Sequence, residues 1–182
     1  MKRCGTVKAR TVAGGNKQRA FINKEDASSP TVSTNSVLLS CIIDATEGRD
    51  VATIDIPNAF IQTRVNDPNK RVLIKVKGLL AEILLEIAPE VYSDYVHIDP
   101  KGNLVLMLEC LNAIYGTMIA SRLYYEKFVK TLKRNNFVLN PYDPCVANRV
   151  IDDKQQTVCW HVDDCKISHV DSKTNDTSSL MC

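Results

Sequence analysis

The sequence predicts an α+β domain, and three observations carry that expectation. Stretches with helical spacing of apolar residues and stretches with β-branched, alternating apolar residues are segregated along the chain, not strictly interleaved. Clusters of Gly, Pro, Asn and Asp punctuate them. With 45% hydrophobic residues in 182, the chain can bury a core of one domain or a little more.

Residues 6–13 read as a strand with Lys8 and Arg10 on one face, because strand side chains alternate, and Gly14-Gly15-Asn16 reads as a turn. Residues 23–33 are polar and loop-like. A helix is predicted over about 34–47: Ser33 or Thr34 can cap it, Gly48 can end it, and Val37, Leu38, Cys41, Ile42 and Ala45 form its apolar face. A strand ending near Asp55 follows, then a turn at Asn66-Asp67-Pro68-Asn69 and an alternating strand over 71–76. Leu79–Ile87 is helical in pattern and is stopped by Pro89. Asp99-Pro100-Lys101-Gly102-Asn103 is a turn, and Leu104–Cys110 a strand. A long helix is predicted over 117–135, burying Met118, Tyr125, Phe128, Val129 and Leu132. Its cations Lys127, Lys130, Lys133 and Arg134 suit the C-terminal end of the helix dipole. Strands near 145–150 and 157–169 complete the ordered part, and the polar residues 171–182 are expected to fray.

Several function classes are excluded at this level. No apolar run approaches the ~20 residues of a membrane span, and no signal-peptide core follows Met1. Seven scattered cysteines, an odd number, read as reduced thiols of an intracellular protein. The net charge of +2 hides an asymmetry: residues 1–24 hold seven basic side chains and no acid, so the remainder is net acidic. A basic arm beside an acid-centred body suits a protein that handles polyanions. On charge alone, a solvated basic arm is the simpler explanation.

The chemistry gathers on acids. His161-Val162-Asp163-Asp164 lies between two short strand-like runs, 157–160 and 165–168. Adjacent carboxylates at a hairpin tip repel each other, and a divalent cation is the natural compensator. Asp55 is the sole charge in another apolar strand, from Val51 to Phe60. One strand aspartate plus a distant aspartate pair is the ligand set of a two-metal nucleotidyl-transfer site. Read alone, Asp163-Asp164 is an ordinary acidic turn. A zinc site from Cys159, His161, Cys165 and His169 fits no usual spacing, and a hairpin would split these side chains between faces. No nucleophile elbow, Walker or Rossmann glycine pattern is present.

The ordered motifs resemble the reverse transcriptase of copia-type LTR retrotransposons. Lys8-Ala9-Arg10-Thr11-Val12-Ala13 resembles the family's K-A-R-L-V-A, and Ile54-Asp55-Ile56-Pro57-Asn58-Ala59-Phe60 resembles L-D-V-K-N-A-F. Leu111-Asn112-Ala113-Ile114-Tyr115-Gly116 resembles K-K-A-L-Y-G, Tyr142-Asp143-Pro144-Cys145 resembles S-D-P-C, and His161-Val162-Asp163-Asp164 resembles Y-V-D-D. The resemblance implies fingers and palm, the palm with a ferredoxin-like antiparallel sheet packed on helices. Fingers would occupy 1–50 and 66–116, and palm 51–65 and 117–170. The thumb is absent from this arrangement. It implies RNA-directed DNA polymerase activity on a primer 3′-hydroxyl, with dNTPs, an RNA or DNA template and two Mg²⁺ ions, Mn²⁺ being a possible substitute.

Residue roles follow from the same resemblance. Asp55 and Asp163 would bridge the metals, with Asp164 completing the set. Phe60, five residues after Asp55, would lie under the sugar and exclude a ribose 2′-hydroxyl; read bottom-up, it is a core Phe at a strand end. Lys8 and Arg10 would face the triphosphate. Tyr115-Gly116 would bring backbone close to the templating base pair. His161 would flank the primer terminus, and Lys127 and Lys130 would touch phosphates, although a solvated helix face explains those lysines too. The chain resembles a fragment of a Pol polyprotein working with thumb, RNase H and integrase regions, in a cytoplasmic virus-like particle. Three departures stand out: Met118-Ile119 replaces a polar Lys-Gln, Ser121 replaces a Pro, and His161 replaces the usual Tyr of Y-V-D-D. They leave the acids intact and alter template and primer contacts. The alternative from another class is a catalytically silent retroelement remnant that keeps the fold and binds nucleic acid through its basic arm.

Overall fold

The computed structural model describes residues 11–23, 27–68 and 71–175. Its helices are α1 (Thr34–Glu47), α2 (Leu79–Ile87), the short α3 (Pro89–Tyr92) and α4 (Ala120–Arg134). Its strands are β1 (Asp50–Asp55), β2 (Leu73–Lys77), β3 (Val96–Ile98), β4 (Leu104–Glu109), β5 (Val138–Leu139), β6 (Val146–Ile151), β7 (Lys154–His161) and β8 (Asp164–His169). The larger sheet is antiparallel in the order β1-β8-β7-β6-β5, and a second sheet runs β2-β4-β3. The α+β expectation is met.

The ends of α1 follow local chemistry. Ser33 Oγ accepts the Ser36 amide at 3.1 Å, and Gly48 takes the left-handed conformation that ends a helix without a Cβ clash. Pro89 stops α2 and then opens α3 at its first position, where its missing N–H is harmless. The β6–β7 hairpin turns on Asp152-Asp153, both at positive φ, as a two-residue I′ turn requires.

The main core lies between α4 and one face of the larger sheet. Phe128 and Leu132 pack against Val158, Trp160, Cys165 and Ile167, all nearly inaccessible. Phe128 meets Trp160 edge-on at 5.2 Å, a favoured aromatic geometry. Burial there pushes the Cys165 thiol up to about 12, with the charges of Asp164 and Asp163 adding to it. The second sheet has its own small core, where Ala81 of α2 and Leu106 of β4 are fully buried.

Three expectations need correction. Residues 11–13 are not a strand, and a 3-10 turn follows at Gly15–Ala20. The expected apolar face of α1 points outward: Leu38 and Ile42 are 57% and 62% exposed, while Ser40 and Asp44 are buried. The reason is a cation on the sheet, since Lys166 of β8 donates to both of those side chains. The described part of the polar tail is ordered. Ser172–Asn175 forms a 3-10 turn whose Asn175 amide donates to the Asp50 carbonyl at 3.0 Å, sealing the end of β1.

Asp143 is a structural tie that pattern reading passed over. Its carboxylate accepts the Ser33 amide and the Cys145 amide, each at 2.9 Å, joining the start of α1 to the strand entering β6. Burial raises its pKa, but hydrogen bonds from Ser36, Ser33 and Cys145 outweigh that and leave it below the ordinary carboxylate value. A depressed folded value means stability that is present above the unfolded pKa of ~3.9 and lost as pH falls through the folded one. Asp143→Ala is expected to cost about 2 kcal/mol at neutral pH and to flatten the acid limb of stability. Urea unfolding at pH 7 and pH 3 measures both, and equal losses at the two pH values would refute the account.

Candidate active site

The β7–β8 hairpin brings His161 opposite Asp164, leaving Val162 and Asp163 as the loop. Val162 sits at φ 57, a left-handed value that costs a β-branched residue about 1–3 kcal/mol. The neighbouring strand holds that geometry: the Ile56 amide donates to the Asp163 carbonyl at 3.0 Å. β1 then pairs with β8 in a register that sets Asp55 directly across from Asp164. Directly opposed residues share a sheet face. So His161, Asp164 and Asp55 form one cross-strand row, with Asp163 at its turn.

The row opens into a cleft of about 490 Å³, also lined by Val32, Val37 and Lys166. The face opposite carries Ile54, Cys165 and Trp160 into the core. Asp163 faces that side closely enough for its charge to add to the burial that raises the Tyr124 hydroxyl far above its ordinary value.

The acids suit a hard divalent cation by donor type, since all their ligating atoms are carboxylate oxygens. Among the described residues, no three His, Cys, Asp or Glu side chains stand close enough together to hold one ion. That does not conflict with the donor set: Mg²⁺ is usually held by one or two carboxylates, with water and substrate phosphate oxygens completing its shell. Asp55 and Asp164 have no ion-pair partner among the described residues. Cys159 lies on the cleft side and Cys165 in the core, so the four residues of a conceivable zinc site are split as strand alternation demands.

The other expected site residues fall as follows. Lys8 and Arg10 lie outside the described residues. Phe60 is half-buried, with its ring 4.8 Å from Tyr115 and 5.9 Å from Tyr124. It therefore caps an aromatic row that runs through Tyr124 and Phe128 to Trp160. Gly116 is at φ 86, and a Cβ there would meet the Ala13 carbonyl oxygen at 2.1 Å. The close approach that demands this glycine is made by the chain's own backbone: the Ala13 amide donates to the Tyr115 carbonyl at 2.7 Å. Lys127 donates to the Gln62 carbonyl at 2.9 Å, tying α4 to the segment after Asp55. Lys130 is exposed beside Lys133 and Arg134.

The structure sets Asp55 opposite Asp164, while Asp163 lies toward Tyr124 and the three acids are not gathered into one site. A model of the family described as reverse transcriptase (RNA-dependent DNA polymerase) matches residues 2–181. The chain belongs to the reverse transcriptase family. Among curated proteins and among solved structures, none matches it. Motif reading missed two further residues around this reverse transcriptase cleft, Asp44 and Lys166. A signal existed, since each charge is flanked on both sides by apolar residues, Ile43 and Ala45 for Asp44 and Cys165 and Ile167 for Lys166. No helix of the described residues is long and apolar enough to cross a membrane.

Proposed function

We propose that this reverse transcriptase domain is the polymerase part of a copia-type retrotransposon Pol polyprotein. It would extend a primer 3′-hydroxyl with dNTPs on an RNA or DNA template. The reading is supported above all by the pairing of Asp55 with Asp164 beside Asp163. In the arrangement the motifs imply, Asp55 and Asp163 would share two Mg²⁺ ions, with Mn²⁺ as a substitute, and Asp164 would complete the primer side; Asp163 would have to turn from the Tyr124 side to join Asp55 and Asp164. Bound there, such ions lower the pKa of the attacking hydroxyl and stabilise the leaving pyrophosphate.

The chain's own residues do the positioning. The register of β1 on β8 holds the carboxylates in one row at the mouth of the cleft. Phe60, braced on Tyr115, supplies a rigid wall five residues beyond Asp55. Such a wall excludes a 2′-hydroxyl by shape. His161 borders the row where a primer terminus would lie, and Lys130, Lys133 and Arg134 offer cations to phosphates along the backbone. Lys8 and Arg10 are proposed for the triphosphate, and thumb, RNase H and integrase regions are the proposed partners, in a cytoplasmic virus-like particle.

Primer extension with Mg²⁺ tests the reading, with dNTPs and rNTPs compared in parallel. The chain is expected to prefer dNTPs, and Phe60→Val to raise ribonucleotide use at least about tenfold relative to deoxynucleotide, a ~1.4 kcal/mol change in discrimination. A folded variant with an unchanged ratio would reduce Phe60 to a core residue. A chain that binds primer–template but extends none of it would favour the silent remnant.

A further inference from the structure

Helix α1 meets the sheet through a polar face where its patterning calls for an apolar one. Asp44 is 5% exposed and Ser40 7%. The Asp44 carboxylate pairs with Lys166 Nζ, which also donates to Ser40 Oγ at 3.0 Å. Desolvating two charges is costly, and well-packed apolar side chains often serve stability as well or better. Leu38 and Ile42 of the same helix nevertheless remain outside. Stability alone therefore gives no reason for this pair.

Its position supplies one. Lys166 lies two residues beyond Asp164 on the same face of β8. Its direct cross-strand neighbours are Thr53 and Cys159, and its diagonal neighbours include Asp55 and His161. Diagonal neighbours, roughly 7–8 Å apart, lie within reach of a long side chain. Lys166, Asp164 and Asp55 line one cleft.

We propose that Asp44 and Ser40 form a brace that holds the Lys166 ammonium off the Asp55–Asp164 row, leaving those carboxylates free for a divalent cation. Asp44 is then a positioning residue, acting through Lys166. Without it, the carboxylates nearest Lys166 on its own sheet face are Asp164 and Asp55, and a lysine seated there competes with the cation. The inference rests on the polymerase reading of the acid row.

The test is Mn²⁺ titration of the 182-residue chain, followed by loss of the free-ion EPR signal, with circular dichroism as the check on folding. The unaltered chain should take up Mn²⁺, and Asp55→Asn should weaken uptake. Asp44→Asn should weaken it about tenfold, a ~1.4 kcal/mol change, and Asp44→Asn/Lys166→Met should restore the unaltered affinity. A merely structural pair predicts no such rescue. Unchanged affinity in folded Asp44→Asn, or a double variant as weak as the single, overturns the brace. Should Asp44→Asn not fold, the double variant decides: native affinity supports the brace, and weakened affinity overturns it. No Mn²⁺ uptake by the unaltered chain overturns the brace, while the polymerase reading is decided separately by primer extension.

Discussion

Asp55→Asn is expected to lower primer extension at least about a thousandfold, a loss of roughly 4 kcal/mol of transition-state stabilisation. The same change should raise thermal stability. Asp55 and Asp164 face each other across two strands, and like charges so placed are destabilising by about 0.2–1 kcal/mol. Neither has an ion-pair partner among the described residues, so removing one charge relieves repulsion and breaks no bond. The midpoint should move up by a few degrees at most, at about 2–4 °C per kcal/mol for a chain of this size. Opposed signs in activity and stability mark a functional acid. An Asn variant that loses stability by more than ~1 kcal/mol would show that Asp55 is a structural residue, and undiminished extension would remove it from the site.

Gly116→Ala should be the most damaging single-methyl change in the fold. Two penalties coincide there. The backbone is at φ 86, and the added Cβ meets the Ala13 carbonyl oxygen at 2.1 Å and Val12 Cγ1 at 2.7 Å. The carbonyl is backbone and cannot move aside alone, so the segment before Gly14 must detach. The expected cost is about 3 kcal/mol or more. Gly48→Ala is the control: its φ is 64 but a Cβ there meets nothing within 4 Å, so only the conformational cost of about 1 kcal/mol remains. Thermal unfolding of the two variants separates the terms. Equal losses would mean that the approach of residues 12–13 contributes nothing. Detachment would also free Tyr115, on which Phe60 rests, so extension should fall along with stability.

What the sequence made legible was local. The bounds of α1 follow from Ser33 and Gly48, because a cap and a left-handed stop are decided within a few residues. The hairpin around Asp163 was legible for the same reason. The chain contains two Asp-Asp pairs, and here spacing alone misleads. Asp152-Asp153 is an ordinary I′ turn, with both residues at positive φ. Asp163-Asp164 differs only because β1 comes to lie beside it, which no local window contains. Motif order supplied that information. The inward face of α1 was illegible because it is set by Lys166, more than 100 residues away. The two-residue β5 and three-residue β3 carry too little pattern to be seen. Asp143 stood inside a recognised motif, yet its two amide partners belong to segments that meet only after folding.

The strand order has a kinetic consequence. β6, β7 and β8 form a meander of short hairpins, which closes in microseconds once its residues exist. β1 is made first but can pair only with β8, after a loop of roughly 110 residues has been closed. Closing such a loop costs about 4 kcal/mol in chain entropy beyond a constant term. Asp55 therefore waits, unpaired, through most of synthesis and refolding, and the row of acids is completed by one of the last docking events in the domain. Pulse-labelled amide exchange should find β7 and β8 protected before β1, so that a growing chain carries no assembled acid row until β8 has emerged.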